Sequence, residues 1–514
     1  MQQVSQAWKD AQEQTLVPES YVEIILNVGD PDAQADAAPS DNGHEDFSST
    51  EHLIDETEKE QVLYATLEHN IWPLNGTARI VPNSGPYGNN GFIGNELSGN
   101  DGTYSVTPTI TIQFSEVFNA VIPGITVTWA PSYNEYASSF KITAYNGTAQ
   151  VFTKTVIENE EISSVVEGDI QGYNRIVIEV LEWCKPSRRA RIERIIVGVE
   201  KTYGKSELMS YGHDMFVDPM SAELPKSEIT FEIVNLNGEY NPDNPQGAEK
   251  YLMERQSITA RYGYKLNGSV EWIKAGTFYM SEWDTPQNGI TATFKARDAL
   301  EFMSDTYTGP STGTLADIAT SALQQADLPT MPDGSDRWTL DASLSSITAA
   351  ESADLSENTI AEVLQYVANA ACCVFYQDRD GMLHIEPLGS GATDYEINRF
   401  NSYSNSEISL TKQLKAVNVN DGAAVLTVGT TGETQDISNP LVSSERASAV
   451  AQWAADYLEN RKVLSGAFRA DPRLDPLDRV TNKNQFAEST VLVTEIQYTY
   501  NGAFRGNYEG RAVV

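Results

Sequence analysis

The chain has 514 residues and carries 72 Asp and Glu against 35 Lys and Arg, a formal charge of −37. So acidic a surface repels the nucleic-acid backbone, which excludes a simple DNA or RNA binder, and it reads first as a solvated acidic face that favours a partner of complementary charge. The length points to roughly three to five domains rather than one core, and no apolar run is long enough for a membrane-spanning helix.

The polar start, MQQVSQAWKDAQEQ, reads as a helix with Val4, Trp8 and Ala11 on one side, not as a secretory signal. Residues 21–27 (YVEIILN) follow as a strand. Residues 28–62 are acidic and poor in aromatics, and read as an exposed loop. Asp30, Asp32 and Asp36 approach a calcium loop, but Ala35 and Asp41 stand where that loop needs Gly and Glu. His44, His52 and His69 lack metal-ligand spacing. Cys184, Cys372 and Cys373 make no disulfide framework; the adjacent pair reads as buried thiols, in keeping with synthesis in a reducing cytoplasm.

From residues 64–68 the chain enters a second β unit reaching about residue 200. Runs at 109–114, 124–129, 139–144, 150–154, 175–180 and 190–197 alternate apolar and polar residues, with turns such as Asn146-Gly147 between them, the pattern of a sandwich. Sugar binding needs flat apolar faces and side chains that bond hydroxyls. Trp129, Tyr133, Tyr136 and Trp183 are the candidate faces, and Arg188 and Arg189 the candidate donors. Against that, Trp129 ends a strand and Trp183 sits in an apolar run, so both also read as core.

Residues 203–303 alternate again. Ile229, Phe231 and Ile233 share one face; Asn237-Gly238 turns the chain; 241–245 (NPDNP) forbids a ladder; Asn288-Gly289 signals a hairpin. The pattern is that of a small curved antiparallel sheet, a barrel. Residues 314–326 place Leu315, Ile318, Ala319, Ala322 and Leu323 on one helical stripe, and 357–373 repeat the pattern. A hairpin follows, with 373–377 and 382–386 joined by the turn Asp378-Arg379-Asp380-Gly381; His384 reads as structural. Further strands fall at 407–411, 415–420 and 424–428, a helix at 443–463, and strands at 490–500 and 504–514. No H-E-x-x-H, G-x-S-x-G or P-loop occurs, so no catalytic, cofactor or metal site is expected and the protein reads as a non-enzyme. With this many carboxylates, paired acids alone do not support a glycosidase.

Several stretches carry a resemblance. They are Leu224-Pro-x-Ser-x-Ile-Thr-Phe-x-Ile-x-Asn235, YNPDNP from Tyr240, Tyr262-Gly-Tyr264, Gly276-Thr-Phe-Tyr279, Glu282-Trp283 and Ala296-Arg-Asp-Ala-Leu-Glu-Phe302. In this wording the chain resembles the tail-tip hub proteins (tail-associated, or baseplate hub, proteins) of long-tailed phages and prophages of Gram-positive bacteria. The hairpin CVFYQDRDGMLHI and the late DPRLDPLDRV and GAFRGNYEGR are similar to later hub domains, with Pro476, Asp478 and Val480 matching the P-x-D-x-V that opens a barrel strand. The stretch RARIERIIVG from Arg189 resembles a discoidin-type, galactose-binding-like jelly roll.

The resemblance implies a mainly β, multidomain fold of hub-type barrels with a few packed helices and an inserted β-sandwich. Its divisions are 1–62 (helix, strand and acidic loop of barrel I), 63–200 (jelly roll), 201–305 (rest of barrel I), 306–400 (α+β domain II) and 401–514 (C-terminal domains with the second barrel). It implies that strand 21–27 pairs with strands from 205–300. As a virion protein of the tail tip, the chain is expected to form a trimer that adapts six-fold tail symmetry to three-fold and gates the channel for DNA and tape-measure protein. Expected partners are the distal tail protein, the tape-measure protein and receptor-binding or fibre proteins. The other reading is a carbohydrate-binding adsorption protein whose jelly roll takes a host cell-surface glycan.

Overall fold

The computed structural model describes residues 1–514 apart from 15, 17, 51–52, 55–62, 81–89, 245–246, 288, 330–334, 392–394 and 514. His52, Pro245, Asn288 and Val514, named above, therefore lie outside the described residues. The fold is mainly β with five α-helices among the described residues, arranged around three hydrophobic cores and one small satellite cluster.

The first core belongs to a thirteen-stranded sheet. Ser5 caps the first helix, Gln6–Glu13, by accepting from the Trp8 N–H at 3.2 Å. That helix delivers Trp8, fully buried, edge-on against Tyr264 at 4.8 Å. The strand Ser20–Gly29 turns Val22, Ile24, Leu26 and Val28 inward. It pairs antiparallel with Ser257–Leu266 on one side and Gly198–Tyr203 on the other, so the expected long-range pairing is present. The sheet then runs through Ser269–Asp284, Thr291–Arg297, Lys226–Val234 and Leu208–Phe216.

At that point it does not end. Leu208–Phe216 pairs with Glu488–Tyr500, placing His213 opposite Tyr498, and the sheet continues through Phe504–Val513 and Lys462–Phe468 to Glu407–Leu410. The two barrel-like halves are thus joined into one sheet and share one core. Tyr262 of the first half meets Tyr498 and Phe504 of the second at 5.8 and 5.2 Å.

The second core is helical. Thr314 and Thr359 each form a capping box, with Asp317 and Glu362, at the heads of Leu315–Gln325 and Ile360–Ala371. Cys372 ends the second helix in a left-handed turn (φ 59°), and Cys373 is buried, its thiol pushed up to about 12 by desolvation. The helix expected over 443–463 stops at Leu458, because Leu464 and Phe468 of Lys462–Phe468 point into the sheet core instead. Helix Ser444–Leu458 and strand Leu414–Val419 pack in the helical core, so the stretch expected as a C-terminal unit from 401 is shared between two cores. Strand Ser269–Asp284 serves both: Phe278 and Met280 face the sheet core, and Tyr279 faces the helical one, edge-on to Phe302 at 4.6 Å.

The third core is a sandwich. A five-stranded sheet (Ala38–Asp41, Thr109–Phe118, Tyr173–Trp183, Ala137–Asn146, Ala149–Val156) faces a three-stranded one (Arg194–Ile196, Ile122–Thr128, Ser163–Ile170). Three expectations change here. Residues 64–68 form no strand; Tyr64 makes a single bridge to Arg79. The run 190–197 splits at Glu193, whose N–H reaches the carbonyls of both Thr128 and Trp129, so Arg189–Ile192 and Arg194–Ile196 join different sheets. The acidic stretch is not all exposed loop: Asp30 caps a short helix, Pro31–Asp36, and Ala33, Leu53 and Ile54 enter the sandwich core.

The sandwich also covers one edge of the large sheet. Thr126 Oγ1 donates to the Gly198 carbonyl at 3.1 Å, and a Cβ at Gly198 would stand 2.7 Å from the Gly29 Cα, so this seam closes only with glycine.

Candidate functional site

The six residues picked as sugar contacts lie at one end of the sandwich, and the fold spends them inward. Trp129 is fully buried; its indole N–H donates to Ser164 Oγ at 2.8 Å and its ring packs on Phe140 at 4.8 Å. Trp183 is buried too, and donates to Glu135 Oε2 at 3.0 Å. Tyr133 and Tyr136 are half-buried against the same core, and the Arg191 guanidinium sits 4.7 Å over the Tyr133 ring. Arg188 donates through Nε to Glu135 Oε1 at 2.8 Å and through its other nitrogens to the carbonyls of His69 and Asn70. Arg189 pairs with Glu45 at 2.7 Å and caps the carbonyls of Gly94 and Asn95. These residues are brought together, but as a buried polar lock.

A second lock joins the helical unit to the large sheet. The tip of the 373–386 hairpin is not a solvent turn. Arg379, buried, donates to Asp475 Oδ1 at 2.6 Å, to the Lys274 carbonyl at 3.0 Å and to the Leu474 carbonyl at 2.9 Å. Its guanidinium lies 5.7 Å over Tyr262. His384 accepts a structural place, bonded to Asp378 at 3.0 Å and stacked on Tyr376.

Close by, Asp298 is buried at the start of a short 3₁₀ turn, where it accepts from the Leu300 N–H at 3.0 Å. Desolvation pushes its carboxyl up to about 7. The folded protein therefore holds a proton that the unfolded chain releases above pH 4, and the stability this gives is lost as pH rises through 7. Asp298→Asn keeps the acceptor and removes the charge. Relative to wild type, its unfolding free energy is expected to rise with pH by about 1.4 kcal/mol per unit between pH 4 and 7 and then level off, as read from urea midpoints across pH.

One group of exposed apolar residues lies at the far end of the large sheet, apart from Leu67, Leu74 and Ile80 beside the sandwich. Strand Glu407–Leu410 is exposed along its whole length, pairs only with Lys462–Phe468, and carries Ile408 and Leu410, the latter 66% exposed. Phe400, Ile408 and Phe486 (88% exposed) line a groove of about 660 Å³ with Arg399 and Lys483 among its walls, and Tyr403 is exposed nearby. Single exposed apolar residues are ordinary, but a cluster beside a bare strand edge marks a contact surface. Sequence alternation did not reveal it, because an exposed four-residue strand looks like any other. Among the described residues, no group of three or more His, Cys, Asp or Glu is placed to hold a metal ion, and no helix is long and apolar enough to cross a membrane.

No family model and no curated protein matches this chain. Among solved structures it is similar to the 43 kDa tail protein of prophage MuSo2 from Shewanella oneidensis (14% identity, TM-score 0.43, 60% of this chain and 95% of that one). It is also similar to a tail protein from Neisseria meningitidis (13% identity, TM-score 0.42, 61% and 93%). A prophage tail protein from Listeria monocytogenes overlaps less closely (10% identity, TM-score 0.37, 60% and 91%). At these scores the overlaps are loose.

Proposed function

We propose that this chain is a structural hub at the tip of a long-tailed phage tail. It works as a ring of copies of itself, three by the resemblance of its sequence, that adapts the six-fold tail to a three-fold tip and gates the channel for DNA and tape-measure protein. The distal tail protein, the tape-measure protein and receptor-binding or fibre proteins are its proposed neighbours. The resemblance runs through residues that build the large sheet: Ile229, Phe231 and Ile233 in one strand, Phe278 in another, and Tyr262 and Tyr264 in a third.

The observation that carries assembly is the bare edge at Glu407–Leu410 with its apolar surround. One edge of the large sheet is covered by the sandwich and this one is left open. Copies of so acidic a chain repel each other, so association has to come from backbone pairing, apolar burial and local complementarity. Lys483 is already met by Glu488 at 2.5 Å and Glu396 at 3.9 Å, so Arg399 is the cation this groove offers a second acidic copy. A neighbour seated here leaves the sandwich on the opposite margin, as a mount.

Light scattering of the purified chain tests this. The wild type is expected to self-associate at micromolar concentration, and Ile408→Glu with Leu410→Glu to give a monomer whose melting temperature is unchanged, since both residues are exposed. Unaltered association in the double variant would remove this edge from the assembly.

A further inference from the structure

A second cleft, of about 310 Å³, lies where the outer face of the large sheet meets the sandwich. Its floor is three adjacent strands: Ile25 and Asn27, then Ser257, Thr259 and Arg261, then Trp272 and Lys274. Its wall is the sandwich strand Arg194–Ile196, and Asp380, from the hairpin tip beside Arg379, closes one end. None of these is among the six residues picked from the sequence.

The chemistry of this cleft differs from that of the molecule around it. Three cations line it in a chain of net charge −37, and each faces one carboxylate: Arg194 faces Glu200, Arg261 faces Glu23 and Lys274 faces Asp380. Arg194 and Arg261 are held in place by Glu200 and Glu23. Lys274 is less well compensated. Its side chain is 28% exposed, and its carboxylate partner Asp380 stands 3.7 Å away and is itself mostly in water. Burial lowers the pKa of this ammonium, the direction expected when a charge has lost water without gaining a full partner. An anion placed against Lys274 relieves that deficit.

The polar floor asks for hydroxyls. Ser257 and Thr259 offer hydroxyl groups, and the Asn27 Oδ1 is buried with no hydrogen-bond partner. Trp272 supplies an apolar wall. It packs against Gly263, where a Cβ would meet ring carbons at 2.8 and 2.9 Å, and the Arg261 guanidinium sits 4.8 Å over its ring, so the wall it offers the cleft is its edge. A cation cluster, an apolar wall and unspent hydroxyl partners, in a space the size of one or two sugar rings, form a specific combination.

We propose that this cleft binds an anionic saccharide, a sugar ring bearing a carboxylate or phosphate, with the anion on Lys274 between Arg194 and Arg261 and the hydroxyls on Asn27, Ser257 and Thr259. The inference stands apart from the hub reading, because it concerns a site within one copy.

Calorimetric titration of the full chain with glucuronate, glucose 6-phosphate, neutral glucose and inorganic phosphate tests it. The charged sugars are expected to bind in the millimolar range or tighter, more weakly as salt is raised, and neutral glucose not measurably. Lys274→Met keeps the buried stem and removes the charge; it is expected to cost about tenfold or more in affinity while the melting curve stays cooperative. Trp272→Leu, checked the same way for folding, is expected to weaken the sugars more than inorganic phosphate. Absence of binding by both charged sugars, equal affinity for inorganic phosphate and glucose 6-phosphate, or unchanged affinity in Lys274→Met would each overturn the proposal.

Discussion

Arg379→Met is expected to destabilise the protein by about 3–5 kcal/mol, the cost of breaking one side of a buried charged pair. The residue sits at the tip of a hairpin, where a polar turn would ordinarily tolerate any change. Here the tip is a plug. Its guanidinium ties the helical unit to two separate parts of the large sheet, the Lys274 carbonyl and the Asp475 and Leu474 pair, and it covers Tyr262. Methionine fills part of the volume but removes a donor from the Lys274 and Leu474 carbonyls, of which Leu474 keeps the Tyr498 hydroxyl at 3.0 Å. Asp475, whose side chain is 22% exposed, can take water once the arginine is gone, whereas Asp475→Asn leaves the buried guanidinium without its carboxylate, so Asp475→Asn should cost about as much as the arginine change. Arg379→Lys should cost less than either, since it keeps the charge opposite Asp475, but more than a surface change, since one ammonium cannot reproduce three donations fixed by a planar fork. Urea denaturation of the three variants orders them; a loss below about 1 kcal/mol for Arg379→Met would make the turn an ordinary surface turn.

Much of the fold was legible because its local signals agree with its tertiary ones. The strand holding Ile229, Phe231 and Ile233 alternates in the sequence and buries those three residues completely. Thr314 with Asp317 and Thr359 with Glu362 box the first turns of their helices. What stayed hidden is which strand edge meets which. Period-two alternation says that a strand has two faces, not what lies beside it, so nothing in residues 208–216 or 488–500 announced that these strands join the two halves of the sheet. The split at Glu193 was hidden for the same reason, since a run that alternates without a break reads as one strand even when a single residue hands it from one sheet to another.

The site residues show a different limit. An aromatic on a loop and an aromatic in a core use the same letter, and Trp129 and Trp183 turn out to be core residues with their N–H groups satisfied inside. Each cleft found in the structure is assembled from strands far apart in sequence. Asn27, Thr259, Lys274, Arg194 and Asp380 share one space only because strand Ser20–Gly29 is laid beside Ser257–Leu266 and the sandwich closes over both. No spacing in the chain encodes such a site.

The arginines at the sandwich end lead to the other large effect. Glu68→Gln is expected to cost about 3–5 kcal/mol, because it strands Arg191 in a place where neither side chain reaches water. Glu68 accepts from Arg191 Nη1 at 2.9 Å and also from its Nη2, from the Arg189 N–H at 2.8 Å and from Thr66 Oγ1 at 2.7 Å, and both side chains are at most 5% exposed. Desolvation works against the carboxylate, yet these donors hold its pKa below the usual range, so the stability it contributes is present above the unfolded value and is lost as pH falls through the folded one. Gln offers one acceptor oxygen where the site uses two. Arg191→Met is expected to be similarly costly. The double variant should fall short of the sum of the two by about 0.5–3 kcal/mol, since once both charges are gone none is left buried alone. Strict additivity in thermal or urea unfolding would mean that the pair acts as two independent residues. The expected shortfall would assign Arg191 to fastening Glu68 across the end of the sandwich, where Arg188 also holds the carbonyls of His69 and Asn70.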